Sequence, residues 1–358
     1  MKGVAMIYFK KGISIFLAVV LILALSLTGC GSSEDAAGDA SGDVTEWSFY
    51  SAYGSDEGAC CEVWKQLFAQ IEEETDGRLV ITPYWYGQHP YEGEDMLKAL
   101  EDGSCQLSHF YSGYLSSVEP VFGADAVPML FPSDPMESWE VTAKLWGNFQ
   151  QDTNGILEAI LQERWNASMV HMLPASPQRI FTVGYDVEGI GSLKGHKIRV
   201  YSPELGKLVE ILGGTPVSIS FSEVYTSLST NLIDGYITSV MFAESGGLFD
   251  FTDTINAWEI MASTDGMIVD LDELNALPED VREIFLRIMR ESAMKPESLE
   301  LDKNNEIVET RTADGKVKFF TPSEEKRAEV IEAVKKEIWE PWLELTGEDG
   351  QKVIDQII

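Results

Sequence analysis

The feature of this sequence that most constrains its fold is a strand–helix–strand–helix–strand pattern that occurs twice. In the first copy, the pattern predicts strands at 46–53, 78–86 and 105–111, and helices at 62–74 and 93–101. The helix at 62–74 places Val63, Trp64, Leu67, Phe68 and Ile71 on one face, which is typical of a helix packed on a sheet. This order of elements predicts a parallel sheet with right-handed crossovers.

The second copy repeats this order of elements. It has predicted strands at 197–201, 215–220 and 236–240, and predicted helices at 204–212 and 222–231. An Asp-Gly pair precedes the third strand in both copies, at Asp102 and at Asp234. We therefore predict an α/β fold of two doubly wound lobes with a ligand cleft between them. Lobe 1 is expected at 46–176 plus about 265–304, and lobe 2 at 177–264 plus about 305–358.

The remaining segments predict helices that brace the two lobes. A helix from Glu279 to about Lys303 and a strand at 316–321 are expected. A final amphipathic helix places Trp339, Trp342 and Leu343 on its inner side. The helix expected from Glu279 to about Lys303 is long enough to reach across more than one layer of a small domain.

The N-terminus has the pattern of a secretory signal followed by a lipid attachment site. Basic residues at Lys2, Lys10 and Lys11 precede an uncharged run that is shorter than the roughly 20 residues of a membrane-spanning helix. The run ends in Leu-Thr-Gly-Cys, which resembles a bacterial lipobox, so residues 1–29 are predicted to be removed and Cys30 to be lipidated. Residues 30–45 are small and acidic and predict a flexible tether. A retained anchor, or an ordinary signal with a chance cysteine, is the alternative.

The charge of the chain limits its partners. With 26 Lys and Arg against 59 Asp and Glu, the 358 residues carry a formal charge of −33. Such a surface repels phosphate, so nucleic acid is excluded as a partner. The signal predicts a protein held at the outer face of the cytoplasmic membrane by its lipid anchor, in the periplasm or on the cell surface.

Ligands of open α/β sheets bind beyond the carboxyl ends of the strands. In this chain those ends carry tyrosine, phenylalanine and hydroxyl side chains, which give apolar walls and fixed polar contacts. The residues concerned are Tyr53, Tyr86, Tyr111–Ser112, Tyr201–Ser202, Ser220–Phe221 and Thr238–Ser239.

Arg199 is the most informative basic residue. It lies inside the apolar strand Lys-Ile-Arg-Val, so its guanidinium is predicted to be buried. A buried guanidinium needs a partner. Either an internal carboxylate neutralises it or it receives an anionic ligand, and a carboxylate suits the planar fork of arginine.

The segment 193–235, with Lys-Ile-Arg-Val, Phe-Ser-Glu-Val-Tyr and Asp-Gly, resembles the substrate-binding proteins of tripartite ATP-independent periplasmic (TRAP) transporters, the DctP-like family. The segment 68–84 and Pro-Trp-Leu-Glu-Leu-Thr-Gly-Glu-Asp-Gly near the end agree. The resemblance implies a periplasmic-binding-protein-like fold of class II topology. It also implies a receptor that closes on a small organic acid and delivers it to a membrane permease.

For individual residues, the resemblance implies that Arg199 binds the ligand carboxylate, that Arg179 assists, and that Phe221 packs on the ligand. Thr238 stands where many members have asparagine, which leaves the ligand's identity open. From lobe 1, Tyr53, Phe110 and Tyr111 would close over the ligand, and Tyr201, at the end of the first strand of lobe 2, is a further candidate contact. An aromatic or moderately apolar acid is expected.

Other functions find less support in the sequence. A receptor of an ABC importer has the same class of lobes, and a sensor or adhesion lipoprotein is a further alternative. A secreted hydrolase is less favoured, because the chain has no His-Glu-x-x-His, Cys-x-x-Cys or Gly-x-Ser-x-Gly motif. We expect no enzyme activity, cofactor or metal. One of Cys60 and Cys61 could bridge to Cys105 or all three could stay reduced, and the sequence decides neither this nor the oligomeric state.

Overall fold

The computed structural model of the chain describes residues 43–54, 59–132, 134–147, 155–173, 176–261, 263–293 and 300–357. The predicted signal peptide, Cys30 and most of the predicted tether lie outside these residues. Within the described ranges, no helix is long and apolar enough to cross a membrane.

Strands and helices follow one another along most of the described chain. The strands are β1 (Thr45–Tyr50), β2 (Leu79–Tyr84), β3 (Leu107–Tyr111), β4 (Ala167–Leu173), β5 (Arg179–Thr182), β6 (Lys197–Val200), β7 (Thr215–Ser218), β8 (Gly235–Thr238), β9 (Thr254–Asn256), β10 (Asp265–Asp270) and β11 (Lys318–Phe320). The α-helices are α1 (Ala59–Glu74), α2 (Met96–Glu101), α3 (Ser112–Leu115), α4 (Pro135–Trp146), α5 (Ile156–Trp165), α6 (Pro203–Ile211), α7 (Val224–Ser229), α8 (Val240–Ser245), α9 (Leu271–Ala276), α10 (Glu279–Ser292), α11 (Glu300–Thr312), α12 (Glu324–Val334) and α13 (Glu340–Ile357). Short 3-10 helices span Gly93–Asp95, Pro120–Ala126, Phe221–Glu223 and Leu248–Asp250, and a π-helical turn spans Lys335–Trp339.

Two mixed sheets organise the chain, and each defines one lobe. Lobe 1 holds five strands in the order β2-β1-β3-β10-β4, in which β1 pairs in parallel with β2 and β3. Lobe 2 holds six strands in the order β11-β9-β5-β8-β6-β7, in which β6 pairs in parallel with β7 and β8. The predicted α/β fold of two similar lobes is confirmed, since β2-β1-β3 and β7-β6-β8 have the same order.

One strand in the middle of each sheet runs antiparallel to both of its neighbours. In lobe 1, β10 runs antiparallel between β3 and β4, although it follows the strands of lobe 2 in sequence. In lobe 2, β5 runs antiparallel between β8 and β9 and precedes the parallel strands. The chain therefore passes from lobe 1 to lobe 2 between β4 and β5, returns between β9 and β10, and crosses again to lobe 2 before β11.

The prediction of a single long helix at 279–303 is wrong. The helix α10 ends at Ser292, because Ala293 adopts an extended backbone conformation with ψ of 151°. The helix α10 packs on α1 and β4 in lobe 1, whereas α11 packs on α8 in lobe 2. Two helices on different lobes thus replace one long brace.

The C-terminal helices connect the lobes. The helix α12 packs on α6 of lobe 2, and α13 packs on α4 and on the 3-10 helix Pro120–Ala126 of lobe 1. Two indole N–H groups hold this contact, from Trp339 to the carbonyl of Pro128 and from Trp342 to that of Pro120, both at 2.9 Å. The helix α13 at the end of the described chain therefore lies against lobe 1.

Aromatic side chains form much of each core. In lobe 1, Phe49 packs edge-on against Trp64 at 5.3 Å between ring centroids, and in lobe 2 Phe181 stacks on Tyr236 at 5.0 Å. Cys60, Cys61 and Cys105 are buried thiols, and the described residues contain no disulfide. Burial raises the pKa of Cys105 to about 12, which keeps this thiol protonated and unreactive.

Candidate functional site

A cavity of about 620 Å³ lies between the carboxyl ends of the parallel strands of the two lobes. This volume is within the range of small-molecule sites. Its lobe 1 wall includes Ala52, Tyr86, Glu92, Glu94, Tyr114, Ser116 and Ser117, and its lobe 2 wall includes Arg199, Tyr201, Ser202, Ser218, Ser220, Phe221 and Ser222. A smaller inner cavity of about 30 Å³, which adjoins the first at Arg199, is lined by Tyr53, Tyr111, Tyr114, Gln178, Arg199, Tyr201, Phe221, Thr238 and Phe242.

The ends of the parallel strands position this lining, as the sequence predicts. Tyr53 follows β1, Tyr111 ends β3 and Thr238 ends β8. Tyr201 and Phe221 follow β6 and β7, so the lobe 2 side chains converge on the same edge of their sheet. We call this set of side chains, together with Arg199 and the missed residues named below, the cleft lining.

Arg199 is 3% exposed in β6 and lines both cavities. Its Nε donates to the carbonyl of Ile219 at 3.1 Å, and its Nη1 donates to that of Ile237 at 3.2 Å. Among the described residues, no carboxylate lies within ion-pair distance of the guanidinium. Burial lowers its pKa, and only tyrosines oppose that shift. Three of its five N–H groups thus have no acceptor in the described part of the chain.

Aromatic rings surround the Arg199 guanidinium. Its Cζ lies 5.0 Å from the ring centroid of Tyr201 and 6.0 Å from that of Phe221. The faces of aromatic rings attract cations, so the rings partly offset the loss of hydration without neutralising the charge. The site consequently offers a positive charge and N–H donors to a ligand.

The lobe 1 wall carries its own hydrogen-bond network. The Tyr53 hydroxyl donates to Oδ2 of Asp265 at 3.0 Å, and Nε2 of His109 lies 3.0 Å from Oδ1 of the same carboxylate. Across the cleft, the hydroxyls of Tyr111 and Tyr201 are 3.1 Å apart. This last contact joins the two lobes directly.

A second buried acid supports the strand that carries Asp265. Asp125 is 4% exposed and accepts hydrogen bonds from the backbone N–H of Thr264, at 2.6 Å, and from its hydroxyl. The same N–H donates to the hydroxyl of Ser112 at 3.0 Å. Burial raises the pKa of Asp125 to about 6, although the hydrogen bonds oppose this. Asp125 thus fixes the start of β10.

Phe110, predicted to close over the ligand, lies in the core of lobe 1. Its ring packs on Phe122 at 5.6 Å and on Trp146 at 4.9 Å between centroids, and it lines neither cavity. Successive side chains of a strand point to opposite faces, so Phe110 and Tyr111 cannot both face the cleft. Phe110 is a core residue that supports the wall from behind.

Arg179 also lies outside both cavities. Its guanidinium pairs with Glu259, with Nη2 and Oε1 at 2.8 Å, and lies 5.4 Å from the ring centroid of Phe319. Arg179 is the direct neighbour of Thr238 across β5 and β8, but its charge is neutralised within lobe 2. The structure therefore separates the two arginines that the sequence grouped together.

The sequence reasoning missed three residues of the cleft lining: Tyr114, Gln178 and Phe242. Tyr114 and Phe242 lie one turn into the short helices that follow β3 and β8. A prediction that extended each strand end by one helical turn would have included both. Gln178 precedes β5, whose place in the sheet the sequence pattern does not reveal. Within the described ranges, no group of His, Cys, Asp and Glu side chains could hold a metal ion.

Residues 53–344 match the family model of the bacterial extracellular solute-binding proteins, family 7 (DctP). The ectoine-binding periplasmic protein TeaA of Halomonas elongata is 24% identical over 84% of this chain and 86% of its own length. The ectoine/5-hydroxyectoine-binding periplasmic protein UehA of Ruegeria pomeroyi is 22% identical, with coverages of 89% and 90%.

Solved structures share the fold. A Bordetella pertussis extracytoplasmic solute receptor, DctP6, which binds pyroglutamic acid, superposes with a TM-score of 0.76 at 22% identity and covers 87% of this chain and 99% of its own. A TRAP periplasmic solute-binding protein from Roseobacter denitrificans, with bound β-D-glucuronate, gives a TM-score of 0.74 at 18% identity, with coverages of 87% and 99%.

Proposed function

This chain belongs to family 7 of the bacterial extracellular solute-binding proteins, the DctP family, and we propose that it captures a small organic acid between its lobes and delivers it to a TRAP permease. The family consists of solute receptors and not of enzymes, so a hydrolase is no longer an alternative. The similarity to a TRAP periplasmic solute-binding protein likewise disfavours the receptor of an ABC importer.

The observation that carries the proposal is the burial of Arg199 without a neighbouring carboxylate in the described part of the chain. Loss of hydration makes a buried cation costly unless a counter-charge reaches it. A ligand carboxylate that enters the cleft supplies that counter-charge and accepts two parallel N–H bonds. The proposed contacts are Arg199, Tyr201, Phe221 and Thr238 from lobe 2, and Tyr53 and Tyr111 from lobe 1. Arg179, which pairs with Glu259 outside both cavities, is not among the proposed contacts.

The cavity favours a ligand with apolar faces and several polar groups. Its walls combine tyrosine and phenylalanine rings with serine hydroxyls, including Ser116, Ser202 and Ser220. The relatives named above bind ectoine, pyroglutamic acid and glucuronate, which supports a compact, polar, cyclic acid as the solute. Contact of both lobes with such a ligand favours the closed form, and we propose that the permease recognises this form.

We further propose that Cys30 anchors the receptor to the membrane through its lipid. The Leu-Thr-Gly-Cys sequence supports this, as does the acidic tether that separates Cys30 from β1. Two or more acyl chains are needed for stable attachment. Metabolic labelling with a fatty acid in the native host tests the proposal: label should enter the wild type but not Cys30→Ala, which should appear in the soluble fraction. Equal labelling of both would contradict it.

A ligand screen tests the receptor function. The protein, refolded from denaturant to remove co-purified solute, is screened by thermal unfolding against sugar acids, cyclic amino acids, aromatic acids and dicarboxylates, with matched neutral amides and alcohols as controls. A bound ligand raises Tm by mass action, and calorimetry then gives Kd. At least one acid should bind while its neutral control does not. Binding of neutral compounds alone would overturn the proposal.

A further inference from the structure

Asp265 is a buried acid in the lobe 1 wall that the receptor function described so far does not use. It is 7% exposed at the start of β10, and its only ion-pair partner among the described residues is His109. The carboxylate accepts one hydrogen bond from the Tyr53 hydroxyl, and its other oxygen lies 3.0 Å from Nε2 of His109. Whether His109 is charged therefore decides whether Asp265 keeps a net negative charge.

The backbone fixes the tautomer of His109. The N–H of Ala52 donates to Nδ1 of this ring at 3.2 Å, so Nδ1 is an acceptor and carries no proton. The proton of the neutral imidazole is then on Nε2, from which it is donated to Asp265. If Nδ1 were protonated, its N–H would face the N–H of Ala52, and the hydrogen bond between the two atoms would be lost. His109 is consequently neutral, and the negative charge of Asp265 is not cancelled within the described part of lobe 1.

This arrangement determines what Tyr53 offers to the cleft. Its phenol has one proton, which is committed to Asp265. Burial and the adjacent carboxylate both raise the pKa of Tyr53, so the proton stays on the hydroxyl. Tyr53 lines the inner cavity, and its oxygen can only accept hydrogen bonds there. Arg199, on the opposite wall of the same cavity, can only donate them.

The two walls therefore carry opposite polarity. Lobe 2 presents a cation with unused N–H donors, and lobe 1 presents an acceptor oxygen backed by an anion. Because the net charge of Arg199 and Asp265 is zero, a simple monoanion does not complement both walls. We propose that the ligand is an acid that also carries an N–H donor close to its carboxylate, with the carboxylate on Arg199 and the N–H group on the Tyr53 oxygen. The ligand class is thus amino acids, cyclic imino acids and lactam acids. This inference rests on the proposed receptor function.

Pairs of ligands that differ in one ring atom test this inference. L-Proline is compared with tetrahydrofuran-2-carboxylate, and pyroglutamate with 5-oxotetrahydrofuran-2-carboxylate, in which an oxygen replaces the ring N–H. In calorimetry with the wild type, the acid that carries the ring N–H should bind at least about tenfold more tightly than its oxygen analogue. The ring oxygen of the analogue would face the Tyr53 oxygen, and two acceptors cannot form a hydrogen bond with each other. A ratio below about threefold in every pair that binds would overturn the inference.

Two variants show whether the preference arises at Tyr53. Tyr53→Phe removes the acceptor oxygen and should reduce the ratio to near one. Asp265→Asn can donate to the Tyr53 oxygen, which releases the phenol proton toward the cleft, so it should reverse the ratio in favour of the oxygen analogue. The matched control is Tyr225→Phe, since the exposed Tyr225 donates to Asp250 on the surface at 3.4 Å and lines neither cavity. A ratio unchanged in Tyr53→Phe would overturn the inference.

The outcomes separate this inference from the receptor function. If acids bind without preference for the N–H member, the receptor proposal stands and the inference falls. If no organic acid in the wider screen binds the wild type, both fall. Thermal unfolding of each variant identifies any that fails to fold, and Asp265→Asn then provides an independent readout when Tyr53→Phe is unstable.

Discussion

The two walls of the cleft treat their buried charges differently. In lobe 1, Asp265 accepts hydrogen bonds from the side chains of Tyr53 and His109, and Asp125 holds the preceding residue. In lobe 2, Arg199 donates only to two backbone carbonyls within the described chain, where no carboxylate forms an ion pair with it. The lobe 1 wall is thus stabilised before a ligand arrives, whereas we expect the lobe 2 wall to gain its counter-charge from the ligand. Affinity should accordingly depend most on lobe 2.

The largest expected effect is that of Arg199→Gln. It removes the cation that we propose binds the ligand carboxylate, and we expect affinity to fall by about 2–5 kcal/mol, which is roughly 30- to 5,000-fold in Kd. The ligand-free variant should be at least as stable as the wild type, because an uncompensated buried charge is lost. Calorimetry measures the affinity, and thermal unfolding measures the stability of the ligand-free protein.

Arg287→Gln is the matched control for this substitution, since Arg287 pairs with Glu74 and Glu291 at the surface. This variant should keep the wild-type Kd. Equal affinities for Arg199→Gln and the wild type would remove the contrast between the two walls.

The next effect concerns pH and the lobe 1 wall. The pKa of Asp125 is raised from 3.8 to about 6 in the folded protein, so between pH 4 and 6 the folded state holds a proton that the unfolded state has released. Its contribution to stability is therefore present at low pH and is lost as pH rises through 6, by an amount on the order of 3 kcal/mol. Denaturant unfolding from pH 4 to 7 should show this loss in the wild type and not in Asp125→Asn. Parallel pH profiles of the two proteins would contradict the expectation.

A smaller effect is expected where the walls meet. Tyr111→Phe and Tyr201→Phe each remove the one hydrogen bond between their hydroxyls, so each should lower the free energy of unfolding by about 1 kcal/mol. Because both changes break the same bond, the double variant should be no less stable than either single variant. Additive losses would show that the two hydroxyls act independently.

The smallest effect on affinity is expected for Arg179→Gln. Glu259 already neutralises this guanidinium, so Kd should change by less than about threefold, although stability falls because Glu259 loses its partner. A loss of more than about tenfold in calorimetry would show that Arg179 contacts the ligand, as the sequence resemblance implies. The lobe 2 wall would then hold two functional cations instead of one.

Local patterns were sufficient to predict most of the fold. The repeated order of strands and helices predicts β2-β1-β3 and β7-β6-β8, and the rule that ligands lie beyond parallel strand ends identifies Tyr53, Tyr111, Tyr201 and Phe221. These features depend on residues close together in sequence. The antiparallel strands β5 and β10 depend instead on pairing between distant segments, so Gln178 and Asp265 could not be assigned to the site.

The position of Phe110 outside both cavities could not be predicted for a different physical reason. Every side chain of β3 is buried, from Leu107 to Tyr111, because helices cover both faces of this strand. A strand that is buried on both sides shows no alternation of polar and apolar residues. The sequence therefore did not indicate which of Phe110 and Tyr111 faces the cleft.

The C-terminal helices give this receptor a built-in optical probe. Trp339 and Trp342 donate their indole N–H groups to carbonyls of lobe 1, in a helix whose first part packs on lobe 2. Indole emission responds to the polarity and hydrogen bonding of its surroundings. Solute uptake that shifts one lobe against the other should therefore change the intrinsic fluorescence of the unlabelled protein, and this signal should be weaker in Trp339→Phe.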